Sequence, residues 1–310
     1  MAARAKRPRR RNCGHMVVHE LLAETDPGYR QRRKDVEGEI RQSIASGRAM
    51  RVADQLITLP VVVHVVHKSE DQNISDAQVR SQIDALNRDY RAKNADKRDV
   101  PEPWKSLVTD AKIEFDLVTK DPDGKKSTGI TRTATTADSF GIGNAVKSGS
   151  TGGVDPWPTD RYLNLWVCNL AVVNGSQLLG YAQFPGGAPE TDGVVILWSA
   201  FGTQGSAGAP FDKGRTATHE VGHFLNLRHI WGDMNDCTGN DFVADTPPAQ
   251  DSNAGKPRFP HITCHNGPNG DMFMNYMDYV DDSAMVMFSE GQVARMNGTL
   301  AGPRKKLAGL

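Results

Sequence analysis

The sequence predicts an α/β fold in which helices pack against a twisted sheet. Residues 59–67 form a nearly continuous apolar, β-branched run, which is typical of a strand buried on both faces. An amphipathic helix follows this run, and later strand patterns lead to another helix over residues 215–228. A strand, a helix, several strands and a final helix in this order indicate an α/β sandwich.

The first predicted helix has a clear start. Ser75 is a good N-cap residue and Gln78 stands at the third helical position, so the two predict a capping box. Apolar residues then recur at helical spacing, which predicts one buried face: Val79, Ile83, Leu86 and Tyr90. The later strands are predicted where apolar residues alternate or run together, at residues 113–117, 163–167 and 194–198.

The chain divides into an N-terminal segment, residues 1–55, and a main domain, residues 56–310. The first segment is rich in Arg, Lys and Glu and poor in strand signals, so we expect it to lie outside the main core. Its residues 29–53 could form a polar helix, although Gly38 and Gly47 weaken that prediction.

Six of the first eleven residues are basic and none is acidic: Arg4, Lys6, Arg7, Arg9, Arg10 and Arg11. Such a run predicts a solvated tail, with a nuclear-type address or a polyanion-binding arm as alternatives. The whole chain of 310 residues has 37 basic and 37 acidic side chains. This balance favours neither a nucleic-acid partner nor a membrane partner.

The targeting signals leave the location open. The chain has no apolar stretch near the roughly 20 residues that a membrane span needs. No apolar region follows the basic N-terminus, so a standard signal peptide is not visible. Three alternatives follow: the protein is cytoplasmic, it is exported by another route, or its sequence is only part of a longer precursor.

The four cysteines fall into different surroundings. Cys168 lies in an apolar run and is interpreted as a buried free thiol. Cys237 and Cys264 lie in a region rich in Gly, Pro, Asn and Asp, which spans residues 232–282 and lacks periodicity. A bridge there would stabilise a long loop by about 3 kcal/mol and would imply an oxidising compartment.

The motif that carries the chemistry spans residues 219–229, which contain three histidines and one glutamate. On a helix, His219 and His223 are one turn apart and present their rings on the same side. Imidazole nitrogens are good zinc ligands, and three protein ligands leave a fourth position for water. Glu220 follows the first ligand and is placed to act as the general base. The sequence therefore predicts a catalytic zinc site.

The third ligand, His229, requires a turn. A continuing helix would carry it away from the metal, so the chain must bend near Asn226. Metzincin metallopeptidases usually have Gly there, in the pattern H-E-x-x-H-x-x-G-x-x-H. Asn tolerates positive φ better than other residues with a side chain, so the bend remains possible. Met277, in the pentapeptide at residues 275–279, stands 48 residues after His229 and predicts the metzincin Met-turn beneath the metal.

These motifs resemble those of the pappalysin family of metzincins, in the bacterial and archaeal branch that includes ulilysin and cytophagalysin. The matching segments are residues 73–76, 179–185, 219–233, 245–247, 275–279 and 287–288, and the resemblance spans about residues 56–305. It implies a metzincin catalytic domain of the α/β (α+β) class. That domain has a twisted, mostly parallel sheet with an antiparallel edge strand, an active-site helix and an irregular C-terminal subdomain with the Met-turn.

The resemblance also implies roles for residues around the metal. The edge strand near residues 179–184 would bind extended substrate by strand addition, through Tyr181, Ala182 and Gln183. Tyr279 would stabilise the oxyanion. Relatives that prefer Arg after the cleaved bond have an acid where this chain has Ser283, so Ser283 would line that subsite without conferring the basic preference.

The resemblance further implies structural elements outside the catalytic site. It predicts a disulfide between Cys237 and Cys264, with structural calcium held in the loop by Asp241, Asp245 and the Thr246 carbonyl. The pair Cys13-Gly14 matches an inhibitory segment, so the Cys13 thiolate would occupy the open zinc position in a latent state.

The expected function is that of a secreted zinc endopeptidase, made as a latent zymogen and acting as a monomer on protein or peptide substrates. Neither a nucleic acid nor a membrane is expected as a partner. One alternative is a zinc peptidase limited to self-processing or peptide trimming. Another is a non-catalytic module that binds a polyanion through the basic tail, although Glu220 would then have no purpose.

Overall fold

A computed structural model of the chain describes residues 10–173 and 175–310. The N-terminal segment forms three helices, which are α1 (His15–Thr25), α2 (Tyr29–Ala45) and α3 (Arg48–Ala53). The predicted helix over residues 29–53 is therefore broken, and the break lies at Gly47, whose φ is 71°. Helix α1 has no counterpart in the sequence prediction.

The N-terminal segment packs against the main domain, contrary to the expectation that it lies outside the core. Helix α2 buries Tyr29, Val36 and Ile40, and it lies against a C-terminal helix, α6 (Glu290–Leu300). Of the basic run, residues 1–9 lie outside the described residues and Arg10 is exposed. Arg11 is only 5% exposed, so the prediction of a solvated tail is wrong at this residue.

The main domain is built on one large sheet. Its strands are β1 (Ile57–His67), β2 (Ile113–Leu117), β3 (Ile130–Ala134), β4 (Leu163–Cys168), β7 (Gly180–Ala182) and β8 (Val194–Leu197). The two short strands between β4 and β7 form a separate hairpin, and they are β5 (Val172–Val173) and β6 (Ser176–Gln177). The order is β2-β1-β4-β8-β7, and β3 also pairs with β1. All strand pairs of this large sheet are parallel except β7 with β8. The predicted mostly parallel sheet with an antiparallel edge strand is thus confirmed.

Strand β1 separates two apolar clusters, because its successive side chains point to opposite faces. Val61, Val63 and Val65 belong to the larger cluster, beneath α4 (Asp76–Tyr90) and α5 (Arg215–Phe224). Val66 belongs to the smaller cluster on the other face, which also contains the buried free thiol of Cys168, as predicted. Burial on both faces explains why the sequence of β1 is apolar throughout.

The predicted capping box of α4 forms only in part. The Ser75 hydroxyl accepts a hydrogen bond from the Gln78 N–H at 3.2 Å. The Gln78 side chain does not return to the N-cap and donates instead to the Phe201 carbonyl at 2.8 Å. Gln78 therefore ties α4 to the loop after β8. No helix in the described part of the chain is both long and apolar enough to cross a membrane.

Candidate metal centre and active site

Helix α5 supplies the first part of the site, and all ten of its residues are buried. It begins after Gly214, whose φ of 76° allows a sharp entry. The Asp282 carboxylate accepts hydrogen bonds from the backbone N–H groups of Lys213 at 2.8 Å and Arg215 at 3.2 Å. An acid at the positive end of a helix is stabilising, so Asp282 anchors the helix.

The turn after α5 brings the third histidine back. The helix ends at Phe224, earlier than the predicted residue 228, because Asn226 adopts a φ of 72°. Asn has the positive φ that was expected where metzincins usually have Gly. The His223 Nε2 atom then lies 3.1 Å from the Nε2 atoms of both His219 and His229. The three ring nitrogens converge on one point.

Each histidine is oriented by its other ring nitrogen. The Nδ1 atom of His219 bonds to the Tyr276 carbonyl at 2.7 Å, and that of His223 bonds to the Leu227 carbonyl at 2.8 Å. The Nδ1 atom of His229 bonds to an Asp233 carboxylate oxygen. These acceptors place the protons on Nδ1 and leave each Nε2 lone pair free for a metal. Burial lowers the pKa of His219 and His223 well below the ordinary value, which also favours the neutral form.

Cys13 completes the cluster from the N-terminal segment. Its Sγ atom and one nitrogen from each of the three histidines all lie within 4.8 Å of one another. A set of three imidazoles and one thiol suits zinc better than it suits a hard cation. The residues present therefore fit the metal that the motif predicts.

Glu220 lies beside the cluster and points toward the thiol. Its Oε2 atom is 3.3 Å from the Cys13 Sγ atom, and the residue is 1% exposed. Burial raises the pKa of Glu220 to about 8. Gly180 on the edge strand makes room for it, because a Cβ atom there would lie 2.8 Å from the Glu220 Cγ atom.

Tyr279 and Met277 border the cluster from the C-terminal region. The Tyr279 ring centroid is 4.9 Å from that of His229, and its hydroxyl donates to the Cys13 carbonyl at 3.4 Å. The Met277 sulfur lies beneath α5, where a Cβ atom on Gly222 would approach it to 2.5 Å. The structure therefore brings both predicted residues to the site, with Met277 as an apolar floor.

The edge strand β7 carries the N-terminal segment instead of a separate peptide. Cys13 forms a parallel bridge with Gly180, and the Gly14 N–H donates to the Gly180 carbonyl at 2.9 Å. The Ala182 carbonyl bonds to the His15 ring at 2.9 Å. The side chains of the other predicted substrate residues are engaged elsewhere, because the Tyr181 hydroxyl donates to the Gly143 carbonyl and the Gln183 amide to the Ala188 carbonyl.

Arg11 is a site residue that the sequence analysis missed. Its guanidinium donates to Asp282 at 2.6 Å, to the Thr216 hydroxyl at 3.1 Å and to the Val280 carbonyl at 3.3 Å. Its position two residues before Cys13 was the available signal. Ser283, the predicted subsite residue, is exposed and is not brought into this cluster, whereas the neighbouring Asp282 is fully buried.

The irregular C-terminal region contains the predicted disulfide between Cys237 and Cys264. Of the predicted calcium ligands, Asp241 accepts from the Thr246 hydroxyl at 2.7 Å, and burial raises its pKa to about 7. Asp245 instead accepts from the Ser289 hydroxyl at 2.7 Å at the start of α6. The structure therefore unites Asp241 with Thr246 but turns the Asp245 carboxylate toward a helix end.

Comparisons with known proteins agree with this geometry. A family profile described as pregnancy-associated plasma protein-A, peptidase M43, matches residues 152–301. The chain is similar to a mutant of promirolysin from Tannerella forsythia, with a TM-score of 0.88 and 46% identity, over 96% of this chain and 97% of that one. It is also similar to mature mirolysin of the same organism, solved with a cleaved peptide. The TM-score is 0.79 and the identity 50%, and the match covers 82% of this chain and 96% of that one. An extracellular metalloprotease of Arthroderma otae is 30% identical over 77% of this chain and 76% of its own length.

Proposed function

The chain belongs to the pappalysin family of metzincin metallopeptidases, and from that premise we propose that it is a zinc endopeptidase held latent by its own N-terminal segment. Its membership makes it a metalloendopeptidase. The observation that carries the proposal is the convergence of three histidine nitrogens and the Cys13 sulfur within 4.8 Å. His219, His223 and His229 would hold the zinc ion, and Cys13 would take the fourth position in the latent chain.

The chemistry needs few groups from the protein. When bound, zinc supplies a Lewis acid that polarises the scissile carbonyl and acidifies a water molecule. Glu220 would act as the general base, taking a proton from a water molecule and passing it to the leaving amine. Tyr279 donates a hydrogen bond to the developing oxyanion. Burial in the closed latent site raises the pKa of Glu220, and the hydrogen bond with the Cys13 thiol acts in the opposite direction.

Substrate would bind where the N-terminal segment lies in the latent chain. The backbone of Gly180 and Ala182 faces that segment and offers main-chain hydrogen bonds to any extended peptide. Backbone contacts of this kind are independent of side-chain identity, so the edge strand supports binding of varied proteins and peptides. Tyr181 and Gln183 would act through their main chain, since their side chains are engaged within the fold.

Latency is supported by the way the segment fills the site. Arg11 and Cys13 are both less than 9% exposed, and between them they contact Asp282, Glu220 and Tyr279. The matched structures are consistent with a removable segment, because promirolysin covers 96% of this chain and mature mirolysin covers 82%. We therefore propose residues 1–55 as the pro-segment and residues 56–310 as the catalytic domain, with cleavage near Arg48 or Arg51.

We also propose calcium in the disulfide-linked loop and action outside the cell. The buried Asp241 carboxylate accepts hydrogen bonds only from neutral groups of the described residues, and its pKa of about 7 suits a site completed by a cation. The disulfide is typical of an oxidising compartment. The relatives from Arthroderma and Pyricularia are named extracellular metalloproteases.

The experiment is a peptide-library cleavage profile of the processed chain, compared with Glu220→Ala and with a chelator control. We expect internal cleavage by the wild type, a fall of about 10²–10⁴-fold in Glu220→Ala, and recovery after chelation only when zinc is returned. Cleavage that persists in Glu220→Ala would refute the assigned base. Trimming only from peptide ends would favour the narrower alternative.

A further inference from the structure

One carboxylate of the N-terminal segment is held by groups of the main domain. Arg295 on α6 donates to both oxygens of Glu37, at 2.6 and 2.7 Å, and the Asn226 side-chain amide donates to Oε1 at 3.1 Å. Arg33, one turn earlier on α2, adds a bond at 2.9 Å. Two of the three donors to Glu37 therefore remain with the main domain if the segment leaves.

One of these donors, Arg295, is oriented without help from Glu37. The Arg295 Nε atom donates to the Asn226 carbonyl at 2.9 Å, which holds the guanidinium against the turn of the metal site. Asn226 is fully buried and Arg295 is 3% exposed. Arg228 adds positive charge nearby, and its Nε atom is buried without a hydrogen-bond partner among the described residues. The main domain thus presents a cradle for an anion, formed by Arg295 and Asn226, in which the Arg295 guanidinium is preorganised.

The cradle lies at the end of the peptide path along the edge strand. The N-terminal segment pairs with Gly180 through Cys13 and reaches the Pro185 carbonyl through Arg33, at 2.9 Å. Glu37 follows Arg33 by one helical turn and enters the cradle. A peptide that follows the same strand beyond Phe184 would arrive beside the same positive groups.

Among the described residues, Glu37 is the one acid that forms an ion pair with Arg295. Asp233 bonds to the His229 ring, and Asp241 bonds to the Thr246 hydroxyl. Removal of Glu37 would therefore leave Arg295 without its ion-pair partner. A guanidinium that has lost its carboxylate partner, and that stays bonded to the Asn226 carbonyl, favours a new carboxylate.

We propose that Arg295 and Asn226 form a carboxylate-binding subsite of the activated enzyme, which Glu37 fills in the full chain and which an acidic side chain of a bound peptide fills after activation. This inference rests on the proposed latency and adds a specificity element to the same cleft. The acidic side chain belongs either to a substrate or to the released segment, and the two sources share the same recognition chemistry.

The first test uses the enzyme obtained by processing of the full chain. Quenched peptides that carry Glu or Gln at successive positions around one cleavable bond are compared by kcat/KM. A copy of residues 29–45, with and without Glu37→Gln, is compared as an inhibitor. We expect the Glu form of one pair to be favoured by about tenfold. Asn226→Gly should reduce that ratio, because Gly keeps the positive φ and removes the amide donor.

The two sources give different results in this test. A ratio seen with the cleaved peptides identifies a substrate subsite, and a ratio seen only with the copy of residues 29–45 identifies the released segment as the ligand. Equal values for Glu and Gln in every pair would overturn the inference. Failure of the proposed function gives a different result, namely a chain that contains no zinc or cleaves no peptide. Zinc content and cleavage are therefore measured before the Glu and Gln peptides are compared.

The second test uses the unprocessed full chain and does not depend on activity. Glu37→Gln should increase amide hydrogen exchange across residues 29–45 by about tenfold, since it removes the charge in the cradle. Glu39→Gln is the matched control, because Glu39 lies on the same helix and has no ion-pair partner among the described residues. Identical exchange in the two variants would show that the cradle does not recognise a carboxylate.

Discussion

Helix α5 with its turn, residues 215–229, and the N-terminal segment, residues 10–55, meet at one site but are held by different forces. Every residue of α5 is buried, and its histidines are oriented by backbone carbonyls and one carboxylate. Helix α1 buries only His15 and Val18. The segment buries some apolar side chains on α2, such as Tyr29 and Ile40, and adds charged contacts, such as Arg11 with Asp282.

This difference is consistent with the proposal that the N-terminal segment is removed while α5 stays in place. Removal of any part of α5 would open the core, where each lost large side chain costs about 2–5 kcal/mol. Removal of the N-terminal segment breaks ion pairs whose charges water can solvate. The metal-binding region is therefore a permanent part of the fold, whereas the segment has the character of a bound ligand that is covalently attached.

The largest expected effect is loss of the metal. His229→Ala removes one of three protein ligands, so we expect zinc content to fall below one ion per chain and peptide cleavage to fall by at least about 10³-fold. Metal analysis and kcat/KM measure the two effects. His67→Ala, at the end of β1 and away from the cluster, is the control. Full zinc content in His229→Ala would contradict the assigned ligand set.

The next effect concerns the anchor of the segment. Arg11→Ala leaves the buried Asp282 carboxylate without its charged partner, and breaking such a pair costs about 3–5 kcal/mol. We expect the undocked population of the unprocessed chain to rise by about 100-fold or more. Cleavage of a quenched peptide by the unprocessed chain measures this undocked population. Arg10→Ala changes an exposed neighbour and should leave latency as it is. Equal latency in the two variants would mean that Arg11 does not hold the N-terminal segment in place.

A third prediction concerns the disulfide-linked loop, which lies outside both α5 and the N-terminal segment. The folded, calcium-free chain keeps Asp241 protonated up to about pH 7, whereas the unfolded chain releases that proton near pH 4. The folded state therefore binds more protons between these values, and stability should fall as the pH rises through them. Added calcium should raise Tm more at pH 8 than at pH 5. Asp241→Asn should flatten the pH dependence of the calcium-free chain, and an unchanged slope would mean that Asp241 does not cause it. A Tm that calcium does not raise at either pH would argue against the calcium assignment.

The smallest expected effect lies in the turn between α5 and His229. Asn226→Ala places a residue with a Cβ atom and no amide at a φ of 72°, which costs about 1 kcal/mol or somewhat more. Thermal unfolding measures the loss. Asn226→Gly is the comparison variant and should be the more stable of the two, because Gly adopts this φ freely. The reverse order would mean that the positive φ of residue 226 is not what limits the stability of the Ala variant.

The sequence predicted the permanent region well for a physical reason. The predicted ligands His219, His223 and His229 lie within eleven residues, so helical periodicity and a single turn bring their rings together. The parallel sheet was likewise visible in the apolar run of β1. Local patterns of this kind depend on few distant contacts.

The contacts of the N-terminal segment could not be found in this way. Arg11 and Asp282 are 271 residues apart, and a basic run is usually a solvated tail. Glu37 lies in a polar helix whose composition does not reveal Arg295 as its partner. The Asp245 carboxylate was expected in a cation site, but its hydrogen bond to Ser289 at the start of α6 follows from tertiary packing alone.

Asp282 has a consequence for how a clipped chain keeps its shape. The same carboxylate that forms an ion pair with Arg11 also accepts hydrogen bonds from the backbone N–H groups of Lys213 and Arg215 at the positive end of α5. When the guanidinium departs, the anion keeps both amides and the field of the helix. If the N-terminal segment is removed as proposed, the framework of α5 need not refold around an unpaired charge, and the three histidines that we propose as zinc ligands would keep their positions.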